Sequence, residues 1–252
     1  MWVLLTLLYG LFKGAREIAK KKALEKSGVM EVLFVYTLLS FLFVVPDARS
    51  AMGLSKTQLV CVLAKSAVIF AAWICGFQAI ARLPVSLYSV LDLSRVVFST
   101  LLGVFFLGEQ MRAGQTLGLV LVLLGLLLLK APWRAKRADA GVPVGAVALA
   151  LTSCLMNAVS GTMDKALMRG MNSSQLQFWY MLFLTAMYGA YLLFSRTKID
   201  WKGTLKNGWI WLMSALFVVA DRALFLANGM PGSRVTVMTL LKQSGVLVSI
   251  LG

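Results

Sequence analysis

Residues 83–130 read LPVSLYSVLDLSRVVFSTLLGVFFLGEQMRAGQTLGLVLVLLGLLLLK. Two apolar segments flank a short polar turn, Gly108-Glu109-Gln110-Met111-Arg112. Each segment runs about 18 residues or more, which at about 1.5 Å per residue crosses a hydrocarbon core of roughly 30 Å. The stretch is a membrane hairpin. Asp92 and Arg95 lie three residues apart inside the first segment and so share one helical face. An unpaired charge there costs several kcal/mol in lipid, so that face looks into protein or water. Two readings follow: an internal ion pair that holds helices together, or the wall of a solute pathway.

Composition agrees with a membrane protein. The 252 residues are 60% hydrophobic and 14% charged, against about 25% charged in soluble domains, and the mean hydropathy is +0.83. A soluble fold is excluded. The formal charge of +15 arises from 25 Lys and Arg against 10 Asp and Glu. Most of these cations fall in short loops between apolar runs, where they face an anionic leaflet, so nucleic acid is not the expected partner and the lipid bilayer is. The chain has no histidine, which removes the usual zinc sites, Ser-His and Cys-His nucleophile pairs and haem-His ligation. Cys61, Cys75 and Cys154 lie within apolar runs at spacings that match no metal motif. No metal, no cofactor and no enzymatic activity are expected. The N-terminal run MWVLLTLLYGLF lacks a basic leader and a small-residue cleavage site, and Lys13 and Arg16 follow at once, so it reads as a first span rather than a signal peptide.

In chain order, nine spans are expected: about 1–20, 29–45 (ending at the Pro46-Asp47 stop signal), 59–81, a fourth opened by Pro84, 113–129, 143–163, 177–194, 209–228 and 232–252. The fifth carries Gly114, Gly118 and Gly125, a small-residue face suited to close helix contact. The polar linker is 132–142, dividing a first unit, 1–131, from a second, 143–252. The halves repeat. Lys22-Ala23-Leu24 matches Lys165-Ala166-Leu167, Phe34-Val35-Tyr36 matches Phe178-Trp179-Tyr180, and Pro84, Ser86, Val90 and Arg95 match Pro231, Ser233, Val237 and Lys242, at offsets drifting from 143 to 147. Two five-helix units joined in this way enter the membrane in opposite senses, so the expected fold is an all-α integral membrane protein built as an inverted repeat, with nine spans present and the tenth missing after Gly252.

Loops on one side carry thirteen basic residues, Lys20, Lys21, Lys22, Lys26, Arg82, Lys130, Arg134, Lys136, Arg137, Arg196, Lys198, Lys202 and Lys206; the other side carries five, Arg49, Lys56, Arg112, Lys165 and Arg169. The positive-inside rule makes the linker cytoplasmic and the N-terminus external. Pro84-Val85-Ser86 opening the fourth span, Phe106-Leu107-Gly108-Glu109-Gln110 closing it, and Gly118 with Gly125 in the fifth together resemble the drug/metabolite transporter superfamily in its ten-helix EamA-type branch. The resemblance spans both halves. It implies a carrier of a bacterial cytoplasmic (inner) membrane, with a central cavity lined by the first, third, fourth, sixth, eighth and ninth spans. Relatives usually keep the N-terminus inside, against the charge count, and many have an uncharged residue or proline where Arg95 stands.

Mid-span polar and aromatic residues are the candidate solute contacts: Arg16, Trp73, Tyr88, Asp92, Arg95, Asn157, Asp221, Arg222, Lys242 and Gln243. Lys13, Arg16, Arg95, Arg222 and Lys242 face only Glu17, Asp92 and Asp221, a cationic surplus of two that a carboxylate or phosphate would neutralise. Asp92 and Asp221 are candidate carriers of a coupled proton; a counter-solute is the alternative. Glu109, at a helix end, is expected to cap the next helix. No G-x-x-x-x-G-K-[ST] loop is present, so ATP is not the expected energy source. The expected function is therefore a secondary transporter moving a small organic metabolite, anionic or zwitterionic, by alternating access; the alternative is a non-transporting membrane scaffold or an inactive truncated carrier. A Ser244-Lys242 hydrolytic pair is disfavoured because residues two apart on a helix point to different sides.

Overall fold

The computed structural model describes residues 1–110, 113–128, 143–195 and 200–251, and these form helices and connections with no strand. In the first half, α1 is Trp2–Leu24, α2 Val29–Val44, followed by a 3-10 turn at Val45–Ala51, then α3 Lys56–Arg82, α4 Val85–Leu91, α5 Ser94–Leu107 and α6 Ala113–Leu128. In the second, α7 is Val144–Leu167, α8 Ser173–Ser195, α9 Trp201–Lys206, α10 Gly208–Gly229, α11 Val235–Lys242 and α12 Ser244–Leu251. Among the described residues, six stretches are long and apolar enough to cross a membrane: Val29–Ala51, Lys56–Arg82, Val85–Leu107, Val144–Leu167, Ser173–Ser195 and Gly208–Gly229. The chain is a multi-pass membrane protein. The expected linker 132–142, Met111 and Arg112 of the turn, and Arg196 and Lys198 lie outside the described residues.

Helix starts are fixed by side chains that take up the first free amides. Ser55 Oγ accepts from Gln58 N at 3.2 Å while Gln58 Oε1 accepts from Ser55 N at 2.9 Å. Asn172 and Gln175 make the same reciprocal pair ahead of α8, at 2.8 and 2.9 Å. Each of these glutamines also reaches the other half: Gln58 Nε2 donates to Gly170 O and Gln175 Nε2 to Met52 O.

Helix α1 explains why charges sit in an apolar bundle. Lys13, Glu17 and Lys20, three and four apart, are all buried on the face that α1 turns inward. That face meets α10, α11 and α12, so the first helix of one half lies against the second half; α7 in turn lies against α3 and α5. Helices α2 and α8 meet each other, α2 also touches α10, and α8 touches α3. The α1–α12 crossing is close because it is made of glycine: a Cβ on Gly14 would overlap the Gly245 carbonyl, and one on Gly245 the Gly10 carbonyl. On α6 the expected small-residue face shows no such overlap at Gly114 or Gly118, while the surroundings of Gly125 lie outside what is described. A Cβ at Gly114 would meet nothing within 4 Å, and at Gly118 only Leu240, at 3.8 Å.

Helix α2 ends at Val44, next to the expected stop at Pro46-Asp47, and the chain continues as the 3-10 turn, with Pro46 in its first turn, where a missing amide costs nothing. Two expected features differ. The fourth span is broken at Asp92–Leu93, and the last at Gln243. The helices on either side of these breaks begin at 85 and 94 in one half and at 235 and 244 in the other, a constant offset of 150. That sets Lys242 level with Asp92, about one turn from the Arg95 pairing inferred from the sequence. The cause is local: Pro84 directly precedes α4, whereas Gly232 (φ 75°), Ser233 and Arg234 intervene between Pro231 and α11.

Candidate functional site

A cavity open to solvent lies between the halves. Helix α1 contributes Tyr9, Lys13, Arg16, Glu17 and Lys20; α3 contributes Lys65, Trp73 and Phe77; α4 and α5 contribute Tyr88, Arg95 and Ser99. From the second half come Ser153, Asn157 and Asp164 of α7, Tyr180 of α8, Phe217 and Asp221 of α10, and Thr239 and Lys242 of α11. One wall is aromatic: Tyr36 lies with its ring centroid 5.3 Å from both Trp73 and Phe217, which are themselves 5.3 Å apart.

The charges are arranged in pairs that leave a remainder. Asp92 receives both Lys13 and Arg95, the latter at 2.8 Å between Nη2 and Oδ1. Lys20 donates to Glu17 at 2.6 Å. Lys65 Nζ is 3.1 Å from Asp164 Oδ1 and sits 3.8 Å from the Tyr180 ring centroid. Tyr180 Oη donates to Asp221 Oδ2 at 3.1 Å. Arg16 is different: its guanidinium lies 5.1 Å from the Phe217 centroid, and Nε and Nη1, both buried, have no hydrogen-bond partner among the described residues. Lys242 faces the Tyr9 ring at 5.5 Å and makes no ion pair among the described residues. Six cations line the cavity, opposed by Glu17, Asp164 and Asp221 on its wall and Asp92 just behind it, which again leaves two positive charges in excess.

Seven of the residues read from the sequence meet at this cavity: Arg16, Trp73, Tyr88, Arg95, Asn157, Asp221 and Lys242. Asn157 spends its amide on Ser153, donating to the carbonyl at 2.8 Å and to Oγ at 3.2 Å. Asp92 lies one layer out, beneath its two cations. Gln243 is outside the lining, at the α11–α12 break, with Nε2 and Oε1 buried and without hydrogen bonds among the described residues. Arg222 is also elsewhere. Adjacent to Asp221 on a helix, it points about 100° away, where Nε donates to Gln177 Oε1 at 2.6 Å, Nη1 to Ser174 Oγ at 2.7 Å, and Nη2 to Asp47. The reading from sequence missed the Lys65–Asp164 pair, although a carboxylate in the body of α7 beside Lys165 was a signal of the same kind as Asp92. Glu109 Oε1 and Oε2 accept from Val235 N at 2.7 Å and Thr236 N at 3.0 Å, so that this residue, expected to cap the next helix, caps α11 of the other half.

A model of the EamA-like transporter family matches residues 1–131. Among curated proteins none matches the sequence. A solved crystal structure shares the fold, with a TM-score of 0.71 at 15% identity over 99% of this chain and 86% of the other.

Proposed function

The chain belongs to the EamA-like transporter family, and from that premise we propose that it is a secondary carrier for a small organic solute bearing a carboxylate or phosphate, working by alternating access in a bacterial cytoplasmic membrane. The observation that carries this reading is Arg16, a guanidinium with two unpartnered nitrogens on the wall of a cavity between the halves. Buried arginines are ordinarily satisfied, because an unmet charged donor is costly away from water. Lys13 and Arg95 share Asp92, Lys20 pairs with Glu17 and Lys65 with Asp164, which leaves Arg16 and Lys242 without an ion pair among the described residues and placed for the solute's negative group. A planar bidentate anion suits Arg16, and Lys242 adds a point charge. The aromatic wall of Tyr36, Trp73 and Phe217 would receive the solute's apolar part, and Asp221 a positive group if the solute is a zwitterion.

The inverted repeat is part of the same proposal. It is supported by the reciprocal packing of α1 against α10 and α7 against α3, and by helix breaks at one common offset in the two halves. Matching cations add to it: Lys21 Nζ donates to the carbonyls of Ile80, Ala81 and Leu83 at the end of α3, and Lys165 Nζ to that of Asn228 at the end of α10. Discontinuous helices at a repeat interface are the usual setting of a transporter's binding site. If a proton is coupled, we assign it to Asp221, held by a neutral tyrosine hydroxyl, rather than to Asp92, held by two cations. In proteoliposomes an inward proton gradient should then accelerate uptake by the native chain and leave Asp221→Asn unaffected by the gradient. Equal acceleration of both would remove Asp221 from that role.

A further inference from the structure

A second site, outside the transport cavity, lies where the end of α1 meets the α9–α10 junction. The groove there is lined by Lys26, Gly203, Lys206, Asn207, Gly208, Trp209 and Leu212, with no carboxylate on its wall. Lys26 and Lys206 are exposed, as are Lys22 and Lys202 beside them. Lys22 lies 4.7 Å from the Trp209 ring centroid. None of the four makes an ion pair among the described residues.

The floor is held in place. Asn207, buried, donates to Ala23 O at 3.1 Å and to Ser27 Oγ at 3.4 Å and accepts from Trp209 N at 3.3 Å, tying the start of α10 to the end of α1. Asp200 caps α9 through Gly203 N at 3.1 Å. The same helices, α9 and α10, also expose apolar side chains, Trp201, Leu205, Trp211 and Leu212, with Leu212 on the groove wall. Tryptophans at this level mark the boundary between headgroups and hydrocarbon. The loops of this face are those with the greater basic count, which sets it against the anionic leaflet.

We propose that this groove binds one anionic glycerophospholipid, its phosphate between Lys26 and Lys206 and its acyl chain along Trp211 and Leu212. Lys26 belongs to the first half and Lys206 to the second, so the bound lipid bridges them. A free phosphate meets only the lysines, and a zwitterionic lipid carries a cation that opposes them; an anionic lipid alone satisfies both parts of the surface.

The test is a native mass-spectrometry titration of the full chain in detergent with phosphatidylglycerol, phosphatidylcholine and inorganic phosphate. Each lysine near a lipid surface is worth about fivefold in affinity. The native chain should therefore bind phosphatidylglycerol about 25-fold more tightly than phosphatidylcholine, and Lys26→Gln with Lys206→Gln should abolish that preference. Arg49→Gln with Lys56→Gln, on the opposite face, should leave it intact. All four side chains are exposed, so folding is not at stake. Equal binding of the two lipids, retention of the preference in the Lys26/Lys206 variant, its loss in the Arg49/Lys56 variant, or displacement of phosphatidylglycerol by inorganic phosphate at similar concentration would each overturn the proposal.

Discussion

Lys65 and Asp164 show how one residue pair carries a structural load beside a binding surface. Their side chains are 2% and 8% exposed, and removing one partner strands a buried charge at a cost of about 3–5 kcal/mol, whereas replacing both with apolar residues of similar size is close to neutral. Lys65→Met should therefore lower the thermal midpoint of the detergent-solubilised protein by many degrees, and Lys65→Met with Asp164→Leu should regain most of it; two additive losses would contradict the pairing. Arg16 makes no ion pair among the described residues, so its removal breaks none. Arg16→Ala should leave the midpoint nearly unchanged. The difference between these residues was only partly legible in the sequence, which marks a charge as being mid-span but not which neighbour answers it. Asp92 and Arg95 meet because they lie three residues apart on either side of the helix break, while Lys13, which also reaches Asp92, lies 79 residues away in the chain. Arg222 was misplaced for the converse reason: one position along a helix turns a side chain from the cavity to Asp47.

At the scale of elements, the decisive contacts are those between halves. Glu109 takes up the first amides of α11, and its loss removes a helix cap worth about 1 kcal/mol. Glu109→Gln should lower stability by roughly that amount in a denaturation series, with Glu109→Ala somewhat worse; no change in either would mean that water caps α11 equally well. Gly14 faces a harder limit, since a side chain there meets the Gly245 backbone. Gly14→Leu should prevent folding, while Gly114→Leu, which faces open space, should be tolerated. Helix positions were legible from hydropathy, because long apolar runs leave the backbone no other satisfied state in lipid. The helix breaks were not. Asp92–Leu93 and Gln243 fall inside the polar stretches Asp92–Arg95 and Lys242–Gly245, which the sequence marks as mid-span polar residues without showing that the helix breaks there. Short α9 was hidden for a simpler reason, its six residues being too few for a periodic signal.

For the whole molecule, orientation and transport are the open quantities. In a chain whose cysteines 61, 75 and 154 are replaced by serine, Glu25→Cys, on the basic face, should be shielded from a membrane-impermeant thiol reagent in intact cells, and Arg49→Cys should be labelled. The reverse pattern would invert the chain and restore the orientation usual among relatives. The account's central claim is that the two unanswered cations of the cavity, Arg16 and Lys242, hold the negative group of a carried solute. The most direct measurement is counterflow into proteoliposomes of a panel of radiolabelled solutes: acetate, succinate, glutamate and glucose 6-phosphate, with glucose and putrescine as uncharged and cationic controls. At least one anion or zwitterion should accumulate above protein-free liposomes, and Arg16→Ala and Lys242→Ala should each abolish this while remaining folded. Accumulation of putrescine alone, accumulation of no solute, or full activity in both variants would contradict it.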